Sequence, residues 1–264
     1  MKRFVPFLKK PPVVSVIRLN GMIASGPRGL NDAGTAEMIE RAFRKGKPVA
    51  VALAINSPGG SPAQSSLIAA RIRRLAEEKN LPVTAFVEDA AASGGYWLAC
   101  AADDIIVDAN SIVGSIGVIS ASFGLHEAIS RIGVERRVYT AGQSKSFLDP
   151  FRPEKEEDVT RLRVLQDEIH RNFIAHVQAR RGDRLTKELD LFTGDVWIGQ
   201  RSVEMGLSDG VGHLAATMKE RYGDLVKFVN HGPRRSLLRR FGLSMASSVA
   251  AEVEERALWA RYGL

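Results

Sequence analysis

Apolar and polar positions follow two rhythms along this chain. Short, nearly unbroken apolar runs occur at "VVSVIRL" (13–19), "VAVALAI" (49–55), "LPVTAFV" (81–87) and "DIIVD" (104–108). They read as strands, and the second and third are apolar enough to be covered on both faces. "IGVIS" (116–120) and "ERRVYT" (135–140) read as two more. Between the runs the pattern changes to a helical spacing. It predicts helices over 34–46, 63–80, 93 to about 101, and 124–132, with a turn at 88–92. A long helix is expected from Pro153 to about Arg181, with Glu154, Glu156, Glu157 and Asp158 suited to the positive end of its dipole. A loop-rich segment follows, then a last helix over 213–221.

Strands alternating with helices imply βαβ units and a mainly parallel α/β sheet. One domain is expected over 13–230. A basic segment, 1–12, precedes it, and a helical C-terminal extension, 231–264, follows the "HGP" break. That extension carries an apolar stripe at Leu237, Leu238, Phe241, Met245 and Val249 with arginines beside it. A membrane surface or a neighbouring subunit would equally suit such a stripe.

Composition narrows the function. The chain has 264 residues, 45% hydrophobic and 25% charged, with a net charge of +7. The excess positive charge sits towards the ends, and no basic stripe interleaved with aromatics appears, so nucleic acid is not an expected partner. The single cysteine, Cys100, excludes an internal disulfide and a cysteine-rich metal site. The apolar run Phe4 to Leu8 is broken by Pro6 and is too short for a secretory signal or a membrane span. A soluble, cytoplasmic protein is expected, with contact at the inner membrane surface left open.

Three stretches carry chemistry. "INSPGGS" (55–61) is a glycine turn at the end of a buried strand, where exposed amides leading into a helix can hold an anion. Such turns are common and often bind nothing. "DAAASGGYWLAC" (89–100) sets Ser93 among small residues at a helix start. A serine there is most often an N-cap, but the same placement can expose a nucleophile. A nucleophilic serine needs a base. None of the five histidines, His126, His170, His176, His213 and His231, sits in a small-residue turn. "VYTAGQSKSF" (138–147) offers Lys145 instead. An amine enclosed among apolar groups loses hydration of its charged form, and when neutral it can take a serine proton. Read alone, Lys145 is an ordinary loop lysine.

Taken together, "INSPGG", "AASGGYWLA", "IVGSIGV", "GQSKSFLDPFRP" and "WIGQRSVEMGLSDGVG" resemble the signal peptide peptidase A (protease IV) family of serine peptidases, in its single-repeat bacterial form. The resemblance implies a Clp/crotonase-like fold and a Ser-Lys dyad with Ser93 as nucleophile and Lys145 as general base. It also implies an oxyanion hole from the Gly60 and Gly94 amides, and Ser115 orienting the lysine amine. Hydrolysis of hydrophobic or leader (signal) peptides without metal or cofactor, in a ring of identical subunits, is the function it implies. Two alternatives stay open: a crotonase-type acyl-CoA enzyme, for which Glu88 and Asp89 are the carboxylates near the glycine turns, and an inactive scaffold of the same fold.

Overall fold

The computed structural model describes residues 10–26, 29–142, 144–232 and 255–264. Its centre is an eight-stranded sheet in which all pairings but one are parallel. The strands are β1 (Val13–Asn20), β2 (Ala50–Ser57), β3 (Val83–Ala92), β4 (Asp104–Val107), β5 (Ile112–Gly114), β6 (Val196–Ile198), β7 (Gly210–Val211) and β8 (Lys227–His231). The main path runs β6-β5-β3-β2-β1-β8, and β4 pairs with β3 and β7 beside it. Only β5 and β6 are antiparallel. The expected α/β class with a mainly parallel sheet is therefore what the chain adopts.

The helices are α1 (Asp32–Arg44), α2 (Pro62–Lys79), α3 (Gly94–Ala99), α4 (His126–Arg131), α5 (Glu156–Arg181), α6 (Gly199–Glu204) and α7 (Leu214–Tyr222). Alternation along the strands decides what each face meets. Val51, Leu53 and Ile55 of β2 join Ile17 and Leu19 of β1 in the larger core, which α1, α2, α3 and α5 complete. Ala50, Ala52 and Ala54 point the other way, into a smaller cluster closed by Met218 of α7. Alanines on that face let a single helix cover it closely.

Helix ends follow their local chemistry. Asn31 caps α1 by accepting the Gly34 N–H at 2.7 Å. Ser61 caps α2, Pro62 opens it, and Asn80 closes it in a left-handed conformation.

Four expectations are revised. β3 does not turn at Glu88 but continues to Ala92. Its first half pairs with β4 and its second with β5, while an irregularity in the β2–β3 register at Ile55/Ser57 accommodates the change. The charged Glu88-Asp89 pair is exposed strand rather than turn. The strand expected at 116–120 lies earlier, at Ile112–Gly114, and ends where Gly114 and Ser115 take positive φ. Residues 135–140 form no strand, since among the described residues no strand lies beside them to pair with, and nearly all of them are exposed. Lastly, β8 was not anticipated; it pairs with β1 through His231. The apolar stripe from Leu237 to Val249 lies outside the described residues, as does the segment 1–9. Among the described residues, no helix is long and apolar enough to cross a membrane.

Candidate active site

Two strand-to-helix turns meet at the carboxyl ends of β2 and β3, where open parallel sheets place their sites. The first is the glycine turn 58–61, the second the single residue Ser93 between β3 and α3. Ser93 has φ 52° and ψ −121°, a conformation that a residue with a side chain rarely adopts. It is held there by its N–H, which donates to Gly114 O at 2.8 Å, and by its C=O, which accepts from the Tyr96 and Trp97 amides at 2.9 and 3.1 Å. The hydroxyl makes no capping bond to α3. This removes the N-cap role as the reason for the serine.

Glycines let the two turns touch. A Cβ on Gly59 would come within 2.8 Å of both Ala92 O and Ser93 Cβ, and one on Gly95 within 2.5 Å of Ser57 O. Gly60, at φ 134°, lies so close to Ile23 that a Cβ there would collide with the Ile23 backbone. Ile23 clamps this turn on both sides, donating to Gly59 O at 2.8 Å and accepting from Ser61 N at 2.7 Å. The amide of Gly60 is left out of that pairing. The amide of Gly94, in the first turn of α3, has no partner within the helix. Two neighbouring amides beside a serine on a sharp turn are suited to stabilising an oxyanion.

A cavity of about 900 Å³ opens over this point. Ser93, Gly60 and Ser115 line it, with Ile23, Val118, Ile119, Gly194 and His170 around them. Ser115 is at φ 51°, its N–H bound to Asp195 O at 2.6 Å, and its hydroxyl accepts the Tyr262 O–H at 3.3 Å. Trp197 of β6 packs its ring against Gly114, where a Cβ would come within 2.7 Å of it. This fixes the antiparallel β5–β6 pair that presents Ser115.

Lys145 is not in the cavity. It lies exposed in a turn between α4 and α5, and it is absent from the residues around Ser93. His170, set aside in the sequence, is there. Its Nε2 lies 3.1 Å from Ile116 O; a carbonyl can only accept, so that nitrogen carries the proton. Only tertiary packing of α5 brings this histidine to the site, so no local signal could have marked it.

Beneath α3, buried polar groups hold the helix in place. The Tyr96 hydroxyl donates to Leu207 O at 2.8 Å, and burial pushes its pKa well above the ordinary value. Arg181, buried, makes paired bonds to Asp209 at 2.7 and 3.0 Å. Burial, the largest single influence, would raise the Asp209 carboxyl, but the Arg181 bonds, the Ile105 amide and the Arg184 charge together hold it below the usual range. Cys100 is buried beside them, and desolvation pushes its thiol up to about 12, so it is chemically quiet. Glu88 and Asp89 face elsewhere. They line a second cavity, and Glu88 pairs with Arg18 while Asp89 accepts from Asn56.

Over its whole length the chain is 47% identical to part of a Brucella melitensis protein named Na(+)/H(+) antiporter NhaA, of which it spans only 39%. It is 31% identical, over 76% of its length, to the chloroplastic serine protease SPPA of Arabidopsis thaliana, of which it spans 31%. A solved membrane-bound stomatin-specific protease, a mutant holding a substrate peptide, superposes with a TM-score of 0.48 and 14% identity, over 94% of this chain and 98% of its own. The profile of peptidase family S49 matches residues 75–225, which is more than half of the chain. That match takes in the β3–α3 turn, the Ser115 turn and the Lys145 loop together, and the chain accordingly belongs to peptidase family S49, a family of serine peptidases.

Proposed function

We propose that this chain hydrolyses peptide bonds with Ser93 as nucleophile and Lys145 as general base, acting on hydrophobic or leader peptides. The observation that carries the reading is Ser93 itself: a strained serine, not engaged as a cap, beside the Gly60 and Gly94 amides in an open cavity. An extended peptide would lie between the Ile23–Ser25 and Gly117–Ile119 rims. The strand edge along the Gly60 turn is not its place, because Ile23 already pairs there.

Ser93 Oγ attacks the carbonyl as its proton passes to the neutral lysine amine. The oxyanion forms against the two amides, each donor contributing roughly 10²–10³ in rate. The ammonium then protonates the leaving amine, and water, activated by the same lysine, resolves the acyl-enzyme. The apolar rims, Ile23, Val118 and Ile119, favour apolar substrate side chains.

The exposed position of Lys145 sets a condition. The loop must enclose it against Ser93, and association of subunits supplies the enclosure. The segment carrying the lysine exposes Ile119, Phe123, Ile132, Val134 and Tyr139, with Tyr139 at 91% and Phe123 at 82%. So much apolar surface on one arm marks a contact face, and a homo-oligomer is the assembly proposed. A second reading rests on His170, which lines the cavity that Lys145 does not reach; it would make the histidine the base. The acyl-CoA alternative loses its footing, since Glu88 and Asp89 face a different cavity.

Activity on an apolar peptide should fall to background in Ser93→Ala and in Lys145→Ala, with unchanged circular dichroism. It should persist in His170→Gln. Full turnover in Lys145→Ala together with none in His170→Gln would transfer the role of base to the histidine.

A further inference from the structure

Residues 255–264 lie across the cavity that holds Ser93. They form a helical turn over 255–260, and Leu258, Arg261 and Tyr262 line the cavity. Positions 255, 258, 259 and 262 are the half-buried ones, while 256, 257, 260 and 261 are exposed. That is a single helix face laid on a surface. At one end the Glu255 carboxylate sits beside Gly21, just past β1. At the other end the Tyr262 hydroxyl donates to Ser115 Oγ at 3.3 Å. The helix stop is well formed. Gly263 at φ 75° donates to Ala260 O at 3.2 Å, and Leu264 N donates to Trp259 O at 3.3 Å, the pairing of a Schellman motif.

We infer that residues 255–264 are a built-in cap of the catalytic cleft, which holds the enzyme in a resting state until it is displaced. The inference rests on the cleft being the peptide site proposed above. Tyr262 stands against the hydroxyl of Ser115, the group that would orient the lysine amine, so the cap and a working dyad compete for the space beside one residue. A helical segment holds its backbone coiled, and so offers no extended strand to the amides of Gly60 and Gly94. It blocks the cleft without being a substrate. The occupant is this chain's own segment. It is already seated there, with Leu258, Arg261 and Tyr262 lining the cavity. A peptide substrate or a partner that takes up 255–264 would therefore switch the site on.

The test reads access to the cleft rather than turnover. In Ser93→Cys, alkylation of the introduced thiol by iodoacetamide is timed in the full chain and in a chain ending at Glu254. It is timed also in the full-length double variant Leu258→Ser, Tyr262→Ala, which covers the case in which the shortened chain folds poorly. The buried Cys100, measured with Ser93 intact, gives the background. The rate should rise at least tenfold in both altered forms and fall again when a synthetic 255–264 peptide is added to the shortened chain. Equal rates in all three overturn the cap. So does a rate in the full chain that rises on dilution, because the cover would then come from a second copy. If access rises as stated but no form cleaves a peptide, the cap stands and the peptidase reading falls.

Discussion

At the scale of single residues, the site is paid for in backbone strain. Ser93, at φ 52° and ψ −121°, occupies a region that costs on the order of 1–3 kcal/mol for a residue with a Cβ. Glycine enters it freely. Ser93→Gly should therefore be more stable than Ser93→Ala by about 1 kcal/mol, although both lack the proposed nucleophile. Denaturant unfolding of the two variants checks this. Equal midpoints would mean that the turn is not strained. The residue that sequence reading could place was the serine, since its small neighbours Ala91, Ala92, Gly94 and Gly95 are local. The residue it could not place was His170, which reaches the cavity from a helix far along the chain.

At the scale of elements, α5 does more than cover the sheet. Phe173 and His176 stack on Trp97 of α3 at ring separations of 4.9 and 4.7 Å, so α5 braces the helix that begins at Ser93. His176 is largely buried, and desolvation lowers its pKa from 6.5, more than its bond to Trp97 O raises it. The unfolded chain therefore binds this proton more readily than the folded one. Stability is complete above about pH 6.5 and declines as pH falls below it. His231, lowered chiefly by desolvation, adds to the same slope. The loss in melting temperature between pH 7 and pH 5 should shrink in His176→Phe without vanishing. An unchanged slope in that variant would show that the histidine titrates alike in both states. α5 itself was legible from its acidic start and helical spacing. The strand expected at 135–140 was not realised, because a strand needs a partner, and none lies beside it.

At the scale of the whole molecule, the arm between β5 and α5 is unlike the rest. Strands β1 to β5 bury their apolar residues almost completely, whereas the arm exposes Phe123, Ile132 and Tyr139. Association of chains would cover that surface and enclose Lys145 in the same event. Sedimentation of the protein should show a species larger than the 28.8 kDa chain, and activity per chain should rise with concentration. In Phe123→Ser, Tyr139→Ser both effects should weaken together. A monomer with full activity at every concentration would separate the arm from catalysis.

The sequence by itself determined the α/β alternation, the strands buried on both faces, the glycine turn and the position of Ser93 at a helix start. These are local matters of periodicity, turn-forming residues and residue type. Only the tertiary structure decided that β3 runs on past Glu88, that β8 closes the sheet against β1, and that His170 and Tyr262 line the cavity of Ser93 and Ser115 while Lys145 stands outside. Each of these depends on a partner distant in the chain, and a contact between distant residues leaves no mark on the local pattern of either.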